Sequence, residues 1–285
     1  MKITHGGQMD YTSAGLQHRP GAPTFKLLIL GEENTPANFN LMLARQESFY
    51  SPRHHHNFEQ FRYAYKGDIS LGEGKAWLLR EGELAYFPEG AWYGPQNDGE
   101  GVREVLVLQF GGPSHHGYLS FRQLRDIQAE MTEKGAGVFG GGKFTPAGEE
   151  TQPIDGYEAL WQFHNSQKLQ YPVSRYRHPV LITPEAFEWQ TIHPLGDGHA
   201  KIRPLGVFSD GSVAANQIRI DCGLVQVTGK KGTQLLFFSK GAAEVDGHKC
   251  REQSAIRLDP GEETVVSVGV EGAEILQFVL PDFEK

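Results

Sequence analysis

The feature that most constrains this chain is a series of short runs rich in β-branched and aromatic residues, each stopped by a turn signal. FKLLIL (25–30), FNLMLA (39–44), EQFRYAY (59–65), KAWLL (75–79), LAYF (84–87) and VREVLVLQF (102–110) are separated by GEEN, KGD, GEG, REGE, PEG and NDGEG. Such runs suit a pleated, half-buried surface, and the Gly, Pro and Asp between them supply tight turns. Strands at this spacing predict a sandwich or a closed barrel. The texture returns from Phe187 onward in KIRPLGVF, NQIRIDCGLVQVT, TQLLFFSKG, AIRL, TVVSVGV and AEILQFVL.

Between the two stretches the period changes. Ser120 followed by Gln123 reads as a capping box, and Phe121, Leu124, Ile127 and Met131 then recur at helical spacing, with Gly135 as the stop. A Gly-rich run, GAGVFGGGKF (135–144), follows; without a preceding strand and a following helix it is weak evidence for phosphate binding. A second helical pattern covers DGYEALWQFHN (155–165). The expected organisation is a first barrel over 1–111, a helical and irregular linker over 112–180, and a second barrel over 181–285. An ungapped match of QFRYAYKG (60–67) with QLLFFSKG (234–241) suggests that the barrels are repeats.

Charge narrows the partners. The chain has 27 basic and 35 acidic side chains, a net charge of −8, and no basic stripe, which argues against nucleic acid and anionic membranes. No apolar run is long enough to span a bilayer, and the first residues do not resemble a secretion signal. Cys222 and Cys250 stand far apart and imply no disulfide framework, so a cytoplasmic setting is expected. A small-molecule substrate is the expected partner, with a homodimer among the assemblies open to such a chain.

The most informative stretch is Arg53-His54-His55-His56-Asn57-Phe58-Glu59-Gln60. In a strand His54 and His56 share a face with Phe58, Gln60 and Arg62, while His55 and Glu59 take the other. Two imidazoles so placed are spaced to chelate one metal ion; a solvated surface His cluster and an inward but metal-free pair are the alternatives. Arg62 is a candidate clamp for a substrate carboxylate or enolate, or a structural ion-pair partner.

These residues resemble the cupin superfamily, whose first motif runs G-x5-H-x-H-x3/4-E-x6-G and whose second runs G-x5-P-x-G-x2-H-x3-N. His54, His56 and Gly67 fall on the first motif, with Gln60 at the usual Glu and Ser48 at the opening Gly. Gly82, Pro88, Gly90 and Asn97 fall on the second, with Tyr93 in place of His. The resemblance implies an all-β fold of two tandem double-stranded β-helix (cupin, jelly-roll) barrels with a short helical linker. It also implies one divalent transition metal (Fe, Mn, Ni, Cu or Zn) on His54, His56 and Gln60, although an amide in place of the carboxylate weakens that shell. In the second barrel Thr228 and Lys230 take the two His positions and Thr264 lies near that of Tyr93, so no metal is expected there.

The first functional expectation is therefore a metal-dependent enzyme, a dioxygenase or related lyase, acting on a small organic acid, enol or aromatic compound. The second is a metal-free isomerase, epimerase or cyclase using His56 and Tyr93, with Tyr93 as the catalytic acid. The third is a non-catalytic small-ligand-binding barrel. His115 and His116 follow the last strand of the first barrel, as mouth residues or as plain loop.

Overall fold

Each apolar run becomes a strand because its backbone groups find partners in a neighbouring run of like length. A computed structural model describes residues 1–18, 23–115, 117–148, 151–192, 199–208, 213–229 and 232–281. The chain divides into two units, one of Tyr11–Leu181 and one of Met1–Asp10 with Ile182–Lys285. Both are jelly-roll barrels.

In the first unit the main sheet runs, edge to edge, through Val180–Ile182, Leu84–Phe87, Glu59–Lys66, Val102–Phe110, Phe39–Glu47, Thr24–Leu30 and Thr12–Ser13. Its register decides what faces inward. Met42, Val107, Arg62 and Ala85 lie in one cross-strand row, and Asn40, Gln109, Gln60 and Phe87 in the next such row. Arg62 thus enters a wall of small apolar neighbours. The pairing is unbroken from Glu59 to Ala64, and its register shift lies between Glu104 and Val105, past the row that holds Arg62. Gln60 and Glu59 therefore point to opposite faces, as strand alternation requires.

Residues 112–180 are grouped with the first barrel, where sequence alone suggested a separate linker. The reason is hydrophobic. Phe58, at the start of the barrel strand, packs in one cluster with Leu124, Ile127 and Met131 of α1 (Phe121–Glu133) and Tyr157 and Leu160 of α2 (Gly156–Asn165). Helix α1 begins with the expected capping box: Ser120 Oγ accepts from Gln123 N at 3.1 Å and Gln123 Oε1 accepts from Ser120 N at 2.9 Å. Glu33 also accepts from Ser120 Oγ and pairs with Arg122, and the Arg122 bond holds the Glu33 carboxyl below its ordinary range. Asp155 caps α2, accepting from Tyr157 N and Glu158 N at 2.9 and 3.1 Å. The Gly-rich run is a hairpin, Gly137–Gly140 against Lys143–Pro146, turned by Gly141 and Gly142 at φ +58° and +81°. That left-handed pair is the two-residue hairpin geometry.

The second unit is built on Val213–Thr228. Its first half pairs with Ala273–Val279 and its second with Glu263–Val268, and Gly223, at φ +89°, stands where the partner changes. Lys2–His5 adds to the edge strand Ser254–Leu258, so residues 1–10 belong here and not to the first barrel as expected. A strand so short has too little pattern to announce its partner. Leu236, Phe238, Val225, Val227, Ile256 and Leu258 fill the interior. Thr228 is half-buried and Thr264 buried; Lys230 lies outside the described residues.

Replacing Ser120 with Ala should cost about 1 kcal/mol through the lost cap. At this domain size that is a drop in melting temperature of roughly 2–4 °C. An unchanged melting temperature would show that the cap is not needed to dock α1.

Candidate functional site

The His segment is not a regular strand. His54 makes an isolated bridge with Tyr93, N to O at 3.0 Å and back at 3.1 Å, and the strand proper begins at Glu59. The second-motif turn fixes the next residue: Gly90 N donates to His56 O at 2.8 Å, and at φ +71° a Cβ on Gly90 would strike Pro172 O. Ser48, at the opening Gly position of the first motif, has φ +46°, the left-handed region that favours glycine.

The side chains nonetheless sort by parity. His54 and His56 turn inward with ring centroids 4.9 Å apart. His55 turns outward and is sandwiched between Trp92 at 3.9 Å and Tyr171 at 3.6 Å. His54 Nδ1 lies 2.7 Å from Pro52 O, and a carbonyl only accepts, so this nitrogen carries the proton. A neutral His54 then has its lone pair on Nε2.

Tyr93 is the hub. Its hydroxyl accepts from Gln60 Nε2 at 2.9 Å and from Arg62 Nη2 at 3.0 Å, which leaves its proton to donate to His56 Nε2 at 2.8 Å. One donor and two acceptor sites are all a phenol has, so the group is saturated. Arg62 donates further to Gln96 Oε1 at 3.1 Å and to Gln60 Oε1 at 3.4 Å, and its guanidinium lies 5.0 Å from the ring centroids of Phe87 and Tyr93. Every hydrogen-bond acceptor that Arg62 has among the described residues is neutral.

Beside this cluster lies a cavity of about 250 Å³ inside the first barrel. Arg62, His54, His56, Gln96 and Gln109 reach its wall. Gln60 and Tyr93 do not; Tyr93 instead borders a separate depression with Arg53, Trp77, Trp92 and His178. Met42, Val105 and Val107 of the sheet and Phe121, Leu124 and Tyr157 of the helical segment supply apolar wall. Tyr157 also sets its ring edge-on to His56, centroids 5.8 Å apart. His18, Gln96, Gln109 and Tyr157 were not expected here, because no local motif marks them. For Gln96 the signal was available, as it sits between Tyr93 and Asn97 of the second motif. His115 does not line the cavity, and His116 lies outside the described residues.

Comparison places this geometry. The family model "Cupin domain" matches residues 41–108, the stretch that carries both motifs. Residues 41–108 are thus a cupin domain. No curated protein sequence matches it. The cupin fold extends over both units, as solved structures show. A candidate dioxygenase from Nostoc punctiforme is 12% identical with a TM-score of 0.65, covering 100% of this chain and 84% of that one. Oxalate decarboxylase from Bacillus subtilis, whose Mn(II) centres have been characterised, is 15% identical with a TM-score of 0.54, covering 99% and 76%. A candidate glyoxylate-induced protein from Pseudomonas aeruginosa is 14% identical at a TM-score of 0.60, covering 97% and 86%. Likeness at this identity shows the fold alone. Among the described residues no helix is long and apolar enough to cross a membrane.

A metal shell of His54, His56 and Gln60 can be tested against these contacts. Gln60 Oε1, the atom an ion would use, accepts from Arg62, and His56 Nε2 accepts from the Tyr93 hydroxyl. Among the described residues no group of three His, Cys, Asp or Glu could hold an ion. The nearest charge is itself a cation. As arranged, these residues do not fit a resident divalent metal.

Tyr93→Phe removes the hydroxyl that three side chains share. Leaving buried polar groups unpaired costs about 1–3 kcal/mol, so the melting temperature should fall by several degrees. A variant as stable as the parent would mean that the hydroxyl is not the hub.

Proposed function

We propose that the N-terminal barrel of this cupin is an enzyme site for a small, enolisable organic acid, working by proton transfer without a resident metal. Its two working groups are Arg62 and His54. The observation that carries this reading is the Arg62 guanidinium on the cavity wall with only neutral partners among the described residues. A cation held among apolar and amide groups is costly until an anion meets it, and it then binds that anion with little competition from water.

In this reading the substrate's carboxylate or developing enolate sits against Arg62. His54 Nε2 takes the proton from the carbon beside the carbonyl, and the C–H electron pair moves into the enolate, whose oxygen faces the guanidinium. Return of the proton to the same or a neighbouring carbon completes an isomerisation. Tyr93 does not touch the substrate. It is a positioning residue, holding Arg62 and His56 through one oxygen, which changes the acid role expected for it from sequence.

A metal-dependent reaction, dioxygenase or lyase, is the second reading. One observation favours it: the inward His pair, with the His54 Nδ1 proton committed to a backbone carbonyl, is the arrangement in which metal-binding histidines are held. It requires His56 to leave Tyr93.

Solvent exchange separates the two. Phenylpyruvate, 2-oxobutanoate and oxaloacetate are incubated with the protein in D₂O and the protons beside the carbonyl followed by NMR. Enzyme-dependent exchange should persist in EDTA and fall by about 10²–10⁴-fold in His54→Gln, the range for a lost acid/base group. Exchange abolished by EDTA would favour the metal reading; none with any of the three acids would contradict the first.

A further inference from the structure

We infer that the substrate of this cavity is a monoanion with an apolar body, a monocarboxylate of about ten non-hydrogen atoms, and neither a diacid nor a sugar. The inference rests on the acid-binding reading above and adds to it charge, polarity and size.

Charge comes first. Arg62 is the one Lys, Arg, Asp or Glu among the described residues that line the cavity. Its own partners are Gln60, Gln96 and Tyr93, all neutral. The nearest carboxylate in this network is Asp98, at one remove, where it accepts from Gln96 Nε2 at 2.6 Å. Gln96 Nε2 also donates to Gln46 Oε1 at 3.1 Å, so this amide is fixed with its oxygen towards Arg62. One positive charge with its hydrogen-bonding frame held rigid has room for one negative charge. A second carboxylate would have to lose its water with no second Lys or Arg to meet it among the described lining residues, which is costly.

Polarity gives the same answer. Phe25, Met42, Val105, Val107, Phe121 and Leu124 give much of the wall an apolar surface. A neutral sugar would cover Arg62 without bringing the negative charge that offsets it. A hydrocarbon body gains from the same wall. The volume of about 250 Å³ equals roughly eight waters at ~30 Å³ each, and bonded carbons pack more tightly than that. An arylacetate fills such a space.

The test is calorimetric titration of the full chain at pH 7 after dialysis against EDTA, with phenylacetate, its neutral isostere phenylacetamide, oxalate and glucose. Phenylacetate should bind about tenfold or more tighter than each of the others. Arg62→Gln should remove the preference of acid over amide, and Arg62→Lys should keep its sign. Should Arg62→Gln fail to fold, the ligand series on the parent protein decides alone. Equal binding of acid and amide, tighter binding of oxalate or glucose, or no binding of phenylacetate would overturn the inference. Absence of proton exchange in the parent protein, with phenylacetate still bound, would count against the proposed reaction and leave the ligand class standing.

Discussion

A half-buried guanidinium on the wall of a barrel cavity, with amides and a phenol for company, is the constraint on which the rest of the site depends. Burying a charge is expensive, and proteins commonly offset the cost with a carboxylate. Here the offset is spread over Tyr93, Gln60 and Gln96 by hydrogen bonds and over Phe87 and Tyr93 by contact with the ring faces. Each of those groups is then committed. Tyr93 has no acceptor site left, Gln60 turns its oxygen to Arg62, and Gln96 is braced by Gln46 and Asp98. The frame is rigid because it is saturated, and the unspent part is the charge itself.

Much of this was legible in the sequence, and for stated reasons. Strand alternation placed His54, His56, Gln60 and Arg62 together even though residues 54–57 are held by a single bridge and not a ladder. The parity survives because the Gly90 amide and the Tyr93 backbone pin the segment from the second motif. The helix start at Ser120 was legible because a capping box is a local, reciprocal arrangement. Other features were not. That α1 and α2 close over the first barrel depends on Phe58 and Tyr157 meeting across a hundred residues, and no short window contains both. That the Tyr93 hydroxyl is taken up by Gln60, Arg62 and His56 is decided by three partners meeting at one oxygen. Motif position places Tyr93 near the His pair but does not aim its hydroxyl.

The two barrels carry a common trace. In the first, the row Asn40, Gln109, Gln60 crosses three strands; in the second, Asn216 donates to Gln277 at 3.0 Å and Gln277 to Gln234 at 2.7 Å. Gly67 and Gly241 end the matched segments at φ +74° and +75°. Between these shared points the interiors diverge. Where the first barrel has Arg62 and Ala64, the second has Leu236 and Phe238, both fully buried. Larger apolar side chains at those positions pack the second interior, while a small Ala beside a charged Arg leaves space in the first.

The central claim is that the positive charge serving the first barrel's cavity is that of Arg62 and not that of a resident metal. Metal stoichiometry tests it most directly. Untagged protein is loaded separately with Fe, Mn, Ni, Cu and Zn, desalted, and its bound metal counted by mass spectrometry, beside the double variant Gln60→Glu, Arg62→Met. The parent should retain far less than one ion per chain with each metal, and the variant, which exchanges the cation for a carboxylate ligand, should retain markedly more. One tightly held ion per chain in the parent, removed by His54→Ala with His56→Ala, would contradict the account.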